Sequence, residues 1–474
     1  LNVRLLKTFW VVLAAAMLLG GAARAAEVTR VVSALDDDNR FDFNLTLWWQ
    51  HQVESGFVKR ESQSAYAAET EIIKDLKYAR SSDVINLRAD FGILWDVGIH
   101  IQAPLVLADS SSLSFDQSEG GNCIYPSMNG PRPNCVNQYN STILGDGILP
   151  VSRDPNNPDP FSNITGWGRD AAHGSRQYAP PATGVFQSPS RKGFQNLGIG
   201  ATWAAFNQAR DDTKPTWTLS FDALLDIFKD QRFDPSNVGG NTAVGLGYHQ
   251  LVWSTWVSKR FRYFDPYFGA WYMLPVRTNG SPFQSYGPTQ TSVNPQQQAG
   301  VTIGVEQIAW ENAPAKQRVT VEARAHMQEY FFGRGFSEIW QPLSGSSQCS
   351  AANLGACRAG IDLEYVQGNN TIDAPHPGVT DIDSYATFGG DVGLNVQVGR
   401  YVRFHGLFGL SAATPHFITD ASPGVDANHD GRVDQTVPAE ANPAYRDAID
   451  LPGRRFRVEG TKIWTLFLEG SMMF

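Results

Sequence analysis

The sequence predicts an all-β chain closed into a transmembrane antiparallel up-and-down β-barrel of about 12 strands, with long loops at one end and short turns at the other. Three observations lead there. Apolar and polar residues alternate with period two in segment after segment, as in strands with one greasy and one polar face. The connections alternate in length along the chain, which gathers every long one at the same end. Beyond residue 25 there is no long uninterrupted apolar run, so helical spans are excluded. A closed barrel is then the remaining way to satisfy the backbone in a bilayer.

The N-terminus reads as an export signal. Arg4 and Lys7 are its positive region, Phe9 to Leu19 its apolar region, and Ala23-Arg24-Ala25 its small-residue cleavage site, with cleavage expected after Ala25. Residues 26–40 are expected as a periplasmic segment and 41–474 as the barrel. The formal net charge is -9, and loss of Arg4, Lys7 and Arg24 makes the exported chain more acidic. A basic stripe is absent, so no nucleic-acid partner is expected.

The first strand is expected over 41–53, where Phe43, Leu45, Leu47, Trp49 and Val53 share a face. A polar stretch, 54–82, reads as a long loop. Next comes the clearest hairpin: Ile85, Leu87, Ala89, Phe91, Ile93 and Trp95, a tight turn at Asp96, then Val97, Ile99, Ile101, Ala103, Leu105 and Leu107. The segment 109–193 is rich in Asn, Pro, Ser and Gly. So long a structureless loop would be out of place in a compact soluble domain, but it is ordinary on the outer face of a membrane barrel. Its many aromatic and aliphatic residues favour packing against the barrel mouth. Further strands are expected near 197–205, 217–227, 247–259, 265–274, 299–309, 319–327, 388–398 and 402–410, with long loops over 333–383 and 415–454. The last stretch, Arg457 to Phe474, alternates again and ends in an aromatic residue.

That ending resembles the closing strand of Gram-negative outer-membrane β-barrels, which typically end in Phe. The resemblance implies residence in the bacterial outer membrane, contact with its lipid and lipopolysaccharide, and a role for Phe474 in assembly by the barrel-assembly machinery. A second resemblance lies in 233–275. Phe233-Asp234-Pro235-Ser236, Gly245-Leu246-Gly247 and Pro266-Tyr267-Phe268-Gly269 look like hairpins of the barrels associated with meta-pathway phenol degradation and the wider fatty-acid-porin-like group. It implies passage of small hydrophobic or aromatic compounds.

Parity along the strands selects residues that would face the lumen: Arg88, Asp90, His100, Asp222, Asp226, Glu306, Glu322, Arg324, His326, Asp391, Arg403, His405, Glu459 and Glu469. Acids outnumber bases. One reading is a polar channel favouring cations or neutral polar solutes. Another is a network of ion pairs that rigidifies a packed barrel, each buried charge needing a partner. The two are compatible.

Four cysteines in an exported chain permit disulfides. Of three pairings, Cys123–Cys135 and Cys349–Cys357 are favoured, because each pair shares one polar segment. Asp426, Asn428, Asp430 and Asp434, with Gly431 at the sharp turn, resemble the front of an EF-hand loop and, more closely, a thrombospondin type 3 repeat. They are candidate Ca²⁺ ligands, although Val437 stands where an EF-hand has its bidentate Glu. For catalysis, outer-membrane phospholipases and proteases would need a His with Ser and Asn, or acids with a His, at the rim. His173 and Ser175 fall in the longest loop, while His249 and His416 stand alone near the rims. No catalytic residues are assigned. The sequence thus favours a non-enzymatic channel or transporter for passive uptake of small molecules. The alternatives are a surface-binding or adhesion protein anchored by the barrel, and a rim-site hydrolase. The oligomeric state is left open.

Overall fold

Twelve antiparallel strands follow the period-two segments: β1 (Phe43–Gln63), β2 (Thr70–Leu94), β3 (Val97–Phe115), β4 (Leu197–Phe206), β5 (Thr216–Leu225), β6 (Tyr248–Ser258), β7 (Phe264–Arg277), β8 (Gln298–Asn312), β9 (Gln317–Tyr330), β10 (Tyr385–Val398), β11 (Val402–Ala413) and β12 (Phe456–Met473). The structure is a computed structural model that describes residues 26–35, 41–63, 70–116, 167–169, 176–178, 186, 188–233, 235–285, 287–345, 366–367, 370–371, 378–434, 437, 439–445 and 447–474. Each strand pairs with its sequence neighbour, and β1 pairs with both β2 and β12. Leu47 stands opposite Leu87 on one side and Gly470 on the other, so the ring has no free edge. The expectation of about twelve strands is borne out.

The pleat sorts the two faces. Leu47, Leu87, Ile101, Ile303, Val392, Leu410 and Leu468 point outward and are exposed, whereas Thr46, Asn86, His100, Thr302, Glu322 and Ser471 are buried. A polar interior under an apolar exterior is the reverse of a soluble sandwich, and so large an exposed apolar surface needs hydrocarbon around it. At the end where β1 begins and β12 finishes, exposed Trp95, Phe206, Tyr263, Phe264, Trp310, Tyr401 and Phe474 stand beside the short turns. They form the aromatic girdle expected at a membrane interface. These features place the barrel in the bacterial outer membrane, with the short turns periplasmic.

The turns 95–96, 259–263, 313–316 and 399–401 are tight enough that each holds one left-handed residue: Asp96 (φ 57°), Arg262 (55°), Lys316 (52°) and Gly399 (68°). At the opposite end the strands overshoot the bilayer. The stretch expected as loop, 54–82, is mostly strand: β1 runs on to Gln63 and β2 begins at Thr70. At about 3.4 Å per residue, β2 is roughly 80 Å long, far more than the ~30 Å of a hydrocarbon core. Its outer part meets water on one face and loops on the other, so the apolar alternation fades there while the pairing continues. β3 likewise extends to Phe115, and the short strand Arg191–Phe194 pairs with it.

Above the membrane, Gly333–Gly335 pairs with Thr380–Ile382, and a short helix, α1 (Trp340–Gly345), follows. Ile339 and Leu343 pack with Val58, Leu76, Tyr78, Ile382, Ile418, Ile449, Phe456 and Val458 in one apolar cluster. This cluster sits at the outer end of the barrel, beside the extended parts of β1, β2 and β12. Of the expected pore-covering segment 109–193, Phe186 packs against the cluster, with Phe115 5.2 Å away between ring centroids. Most of that segment lies outside the described residues, as do residues 1–25 and Cys123, Cys135, Cys349 and Cys357.

The ring is locked at its base by two hydrogen bonds: Phe474 N–H to the Phe43 carbonyl (2.8 Å) and Phe43 N–H to the Phe474 carbonyl (3.1 Å). Their rings stack at 5.9 Å. Deleting Phe474 is therefore expected to cut the heat-modifiable, folded fraction in outer membranes severalfold. An unchanged folded band on unheated gels would show that closure does not need this residue.

Candidate functional site: the barrel interior

Residues 26–35 do not hang below the barrel as a separate periplasmic segment. They run inside it, with Ala26, Thr29, Val32, Ser33 and Ala34 buried. Their partners lie on well-separated parts of the wall. Ala26 N–H donates to Ser258 Oγ at the end of β6 (3.3 Å), and Thr29 Oγ1 lies 2.7 Å from the same hydroxyl. Glu27 N–H donates to Glu306 Oε1 on β8 (3.0 Å). The Glu27 carboxylate receives Arg318 Nη2 of β9 (2.5 Å) and Arg403 Nη1 of β11. Arg403 also reaches Glu469 Oε1 on β12 (2.5 Å). Nearer the turns, Ala34 N–H donates to the Leu94 carbonyl and Trp95 Nε1 to the Leu35 carbonyl.

Burial alone would push the Glu27 carboxyl up. Arg403, Arg30 and Arg318 more than reverse this and hold it well below the usual carboxylate range. A glutamate flanked by guanidiniums thus becomes the anchor of the segment.

Around this anchor the lumen residues meet in groups. Tyr267 and His405 both bond Glu322, the latter at 2.9 Å. Asp391 takes Arg324 Nε at 2.7 Å and His326 Nδ1 at 3.1 Å, and His326 Nε2 reaches Ser411 Oγ at 3.1 Å. Arg88 donates twice to Asp90 Oδ1 (2.9 and 2.7 Å), and His100 Nε2 lies 2.5 Å from Asp222 Oδ1. Among the described residues, cavities follow one another along the barrel. The lower, about 320 Å³, touches Val31, Asn44, Thr46 and Arg88. The middle, about 350 Å³, touches Gln50, Glu306, Asn395 and His405. Glu27 and Val28 line both. The outer, about 330 Å³, lies beneath the cap between Glu54, Arg80, Tyr330, Trp340 and Tyr385.

Two residues of the parity set are placed differently. Glu459 faces away from the lumen and pairs with Lys59 and with Arg457 (3.2 Å). The cause is a bulge: the β1–β12 register shifts between Ser55 and Phe57, where Gly460 takes φ 65°. One extra residue reverses the phase, so Val458 and Phe456 turn inward instead. Asp226 continues the inward row of β5 but lies past its end, where Gly247 N–H bonds its carboxylate. Burial, and then Asp230, push its carboxyl up to about 6. It serves the loop.

Sequence reasoning missed Glu27, Arg318, Tyr267 and Ser258. Arg318 and Ser258 sit on the correct parity at strand ends, but nothing local announces Glu27. At the acidic loop, Asp430 and Gly431 N–H groups bond the Asp426 carboxylate at 3.1 and 2.9 Å, and Arg432 N–H bonds Asp430 Oδ1 at 3.1 Å. Asn428 Oδ1 accepts from Asp430 N–H (2.9 Å), and Asp434 N–H donates to Glu440 (2.9 Å). These side chains organise the turn. Among the described residues no three His, Cys, Asp or Glu side chains are grouped to hold a metal ion. The rim histidines have structural partners: His249 Nδ1 accepts from Asp226 N–H (3.0 Å), while His416 bonds the Thr414 carbonyl (2.9 Å) and stacks on Tyr385.

Fold and interior together define the class: an outer-membrane β-barrel with an ion-paired lumen and its own N-terminal segment inside. No family model matches the chain, and no curated protein does. It is similar to an outer membrane channel from Pseudomonas putida F1 (9% identity over 91% of this chain and 95% of that one, TM-score 0.36). It is also similar to a Pseudomonas aeruginosa FadL homologue (6%, 91% and 90%, TM-score 0.30). A third likeness is to the outer membrane protease OmpT of Escherichia coli (8%, 94% and 100%, TM-score 0.26). All three are too distant to carry a function to this chain.

Replacing Glu27 by Gln leaves two guanidiniums facing a neutral amide. We expect a loss of roughly 3–5 kcal/mol, the usual cost of removing one partner from a buried pair, seen as a lower Tm of the purified barrel. The pH dependence has a definite sign. A carboxyl held below its unfolded value of ~4.3 stabilises fully above that value and loses its effect as pH falls through the folded value. The Tm gap between wild type and Glu27→Gln should therefore hold from neutral pH down to about pH 5.5 and narrow below about pH 4. A gap already closed at about pH 5.5 would show that Glu27 is not the anchor.

Proposed function

We propose that the protein is an outer-membrane channel for passive uptake of small molecules, and that residues 26–35 leave their place at its lower end when solute passes. The observation that carries this reading is the stack of cavities along the barrel, interrupted low down by a segment held mainly through polar contacts. A barrel built only as an anchor has no need of such spaces along its axis. Polar contacts also suit a removable segment, since water can take them over when it leaves.

The solutes in this reading are small hydrophobic or aromatic compounds. Support comes from the outer cavity, whose lining includes Tyr78, Tyr248, Phe283, Tyr330, Trp340 and Tyr385. The other partners are lipid and lipopolysaccharide around the apolar belt. We assign no catalytic residues, because the rim histidines are spent on backbone and ring contacts.

Swelling of proteoliposomes tests the reading. Wild-type protein should pass small solutes slowly, and a variant lacking residues 26–35 should pass them at least about threefold faster, since a narrow constriction dominates flux. Equal rates would mean that the segment is not in the path. No flux from either, with the barrel folded, would favour the surface-binding reading.

A further inference from the structure

We infer that the outer cavity is a binding site for a small planar aromatic acid, stacked on its aromatic wall and held through its carboxylate by Arg191 and Ser337. The inference rests on the channel reading only in making this ligand a permeant.

The cavity suits such a molecule in size and shape. At about 330 Å³ it falls at the lower end of the ~300–1,000 Å³ typical of small-molecule pockets. One wall is a flat pile of rings: Tyr330 and Tyr385 stack at 4.4 Å with 5° between planes, and Tyr385 and His416 at 3.8 Å with 9°. Phe336, also in the lining, meets Phe283 and Trp340 edge-on, at 5.4 and 5.0 Å. A flat ring can extend the pile or fill the edge-to-face set.

The charge pattern selects an acid. Arg191 is only 3% exposed. Its cross-strand partner is Asp109, but that carboxylate already takes Nε and Nη2 of Arg80, each at 2.8 Å. The Arg191 guanidinium is left with two carbonyls, those of Ala243 (2.9 Å) and Arg232 (3.0 Å), and with the Trp340 ring 4.7 Å away. Its Nε has no partner, and it forms no ion pair among the described residues. Ser337, also buried and lining the cavity, has an Oγ without a partner. A buried cation whose nearby carboxylate, Asp109, is already bonded to another arginine is costly, and a planar guanidinium is shaped for a carboxylate of its own. The other charges limit the ligand to a single negative group. Arg334 is paired with Asp381 (3.3 Å), while Glu54 and Glu338 line the same cavity and would repel a dianion. Burial, and then Glu54, push the Glu338 carboxyl up to about 7, so this repulsion is partial near neutral pH.

The test uses full-length protein in detergent, with binding followed by calorimetry and by tryptophan fluorescence. The probes are benzoate, benzyl alcohol, benzylammonium and cyclohexanecarboxylate. Benzoate is expected to bind at least about tenfold tighter than each of the others, and Arg191→Gln to remove that preference. Equal binding of benzoate and benzyl alcohol would overturn the inference. So would tighter binding of benzylammonium, or an undiminished preference in a folded Arg191→Gln protein. Should Arg191→Gln fail to assemble, the four-probe comparison on the unaltered protein decides alone, and Ser337→Ala should still weaken benzoate. Liposome swelling separates the two readings. Flux without benzoate preference keeps the channel and sinks this site, whereas benzoate binding without flux does the reverse.

Discussion

A strand in hydrocarbon without a neighbour leaves its amide and carbonyl groups with nothing to bond, so β1 and β12 must find one another across the length of the chain. Their pairing runs from Asn44 opposite Met473 to Arg60 opposite Phe456. Once it forms, the molecule has an inside of fixed circumference. Side chains on one parity are committed to that inside and those on the other to lipid. The apolar belt, the girdle at the turns and the charged lumen are all consequences of this single closure.

Closure creates a second problem. Arginines and acids on the inner parity are held where water is scarce, and each needs a partner. The barrel supplies most of them from nearby strands: Asp391 on β10 serves Arg324 and His326 on adjacent β9, and Asp222 on β5 reaches past β4 to serve His100 on β3. Among the described residues Arg318 has no ion pair with the wall, and Arg403 has only Glu469 there. Glu27 comes from outside the sheet to serve both. The N-terminal segment thus completes the charge balance of the wall, and ordering it requires no apolar core of its own.

Parity made most of the lumen set legible in sequence. His100, Asp222, Glu306, Glu322, Arg324, Asp391, Arg403 and His405 lie on stretches where the period of two runs uninterrupted, and all of them join the interior contacts. Glu459 escaped because parity counts residues and a bulge adds one; the only local sign was Gly460. The extent of β1 and β2 escaped because outside the bilayer neither face needs to be apolar, so paired backbone looks like loop. Glu27 could not be read at all. Its partners are 291 and 376 residues away, and a single acid outside any strand carries no pattern.

The two ends of the lumen are held together by different forces. The lower end is held by ion pairs and a few hydrogen bonds around Glu27, Ser258 and Ser33. The outer end is held by burial of Ile339, Leu343, Ile418, Ile449 and Phe456. Charge contacts weaken when counter-ions or water replace them, while apolar contacts weaken only when their surface is exposed or another apolar group covers it. A hydrophobic solute arriving from outside can compensate for the second kind of opening by its own burial, but it offers nothing to the guanidiniums at the first. In the channel reading, opening of the outer end would answer to the solute itself, and opening of the lower end to whatever competes for Arg318 and Arg403.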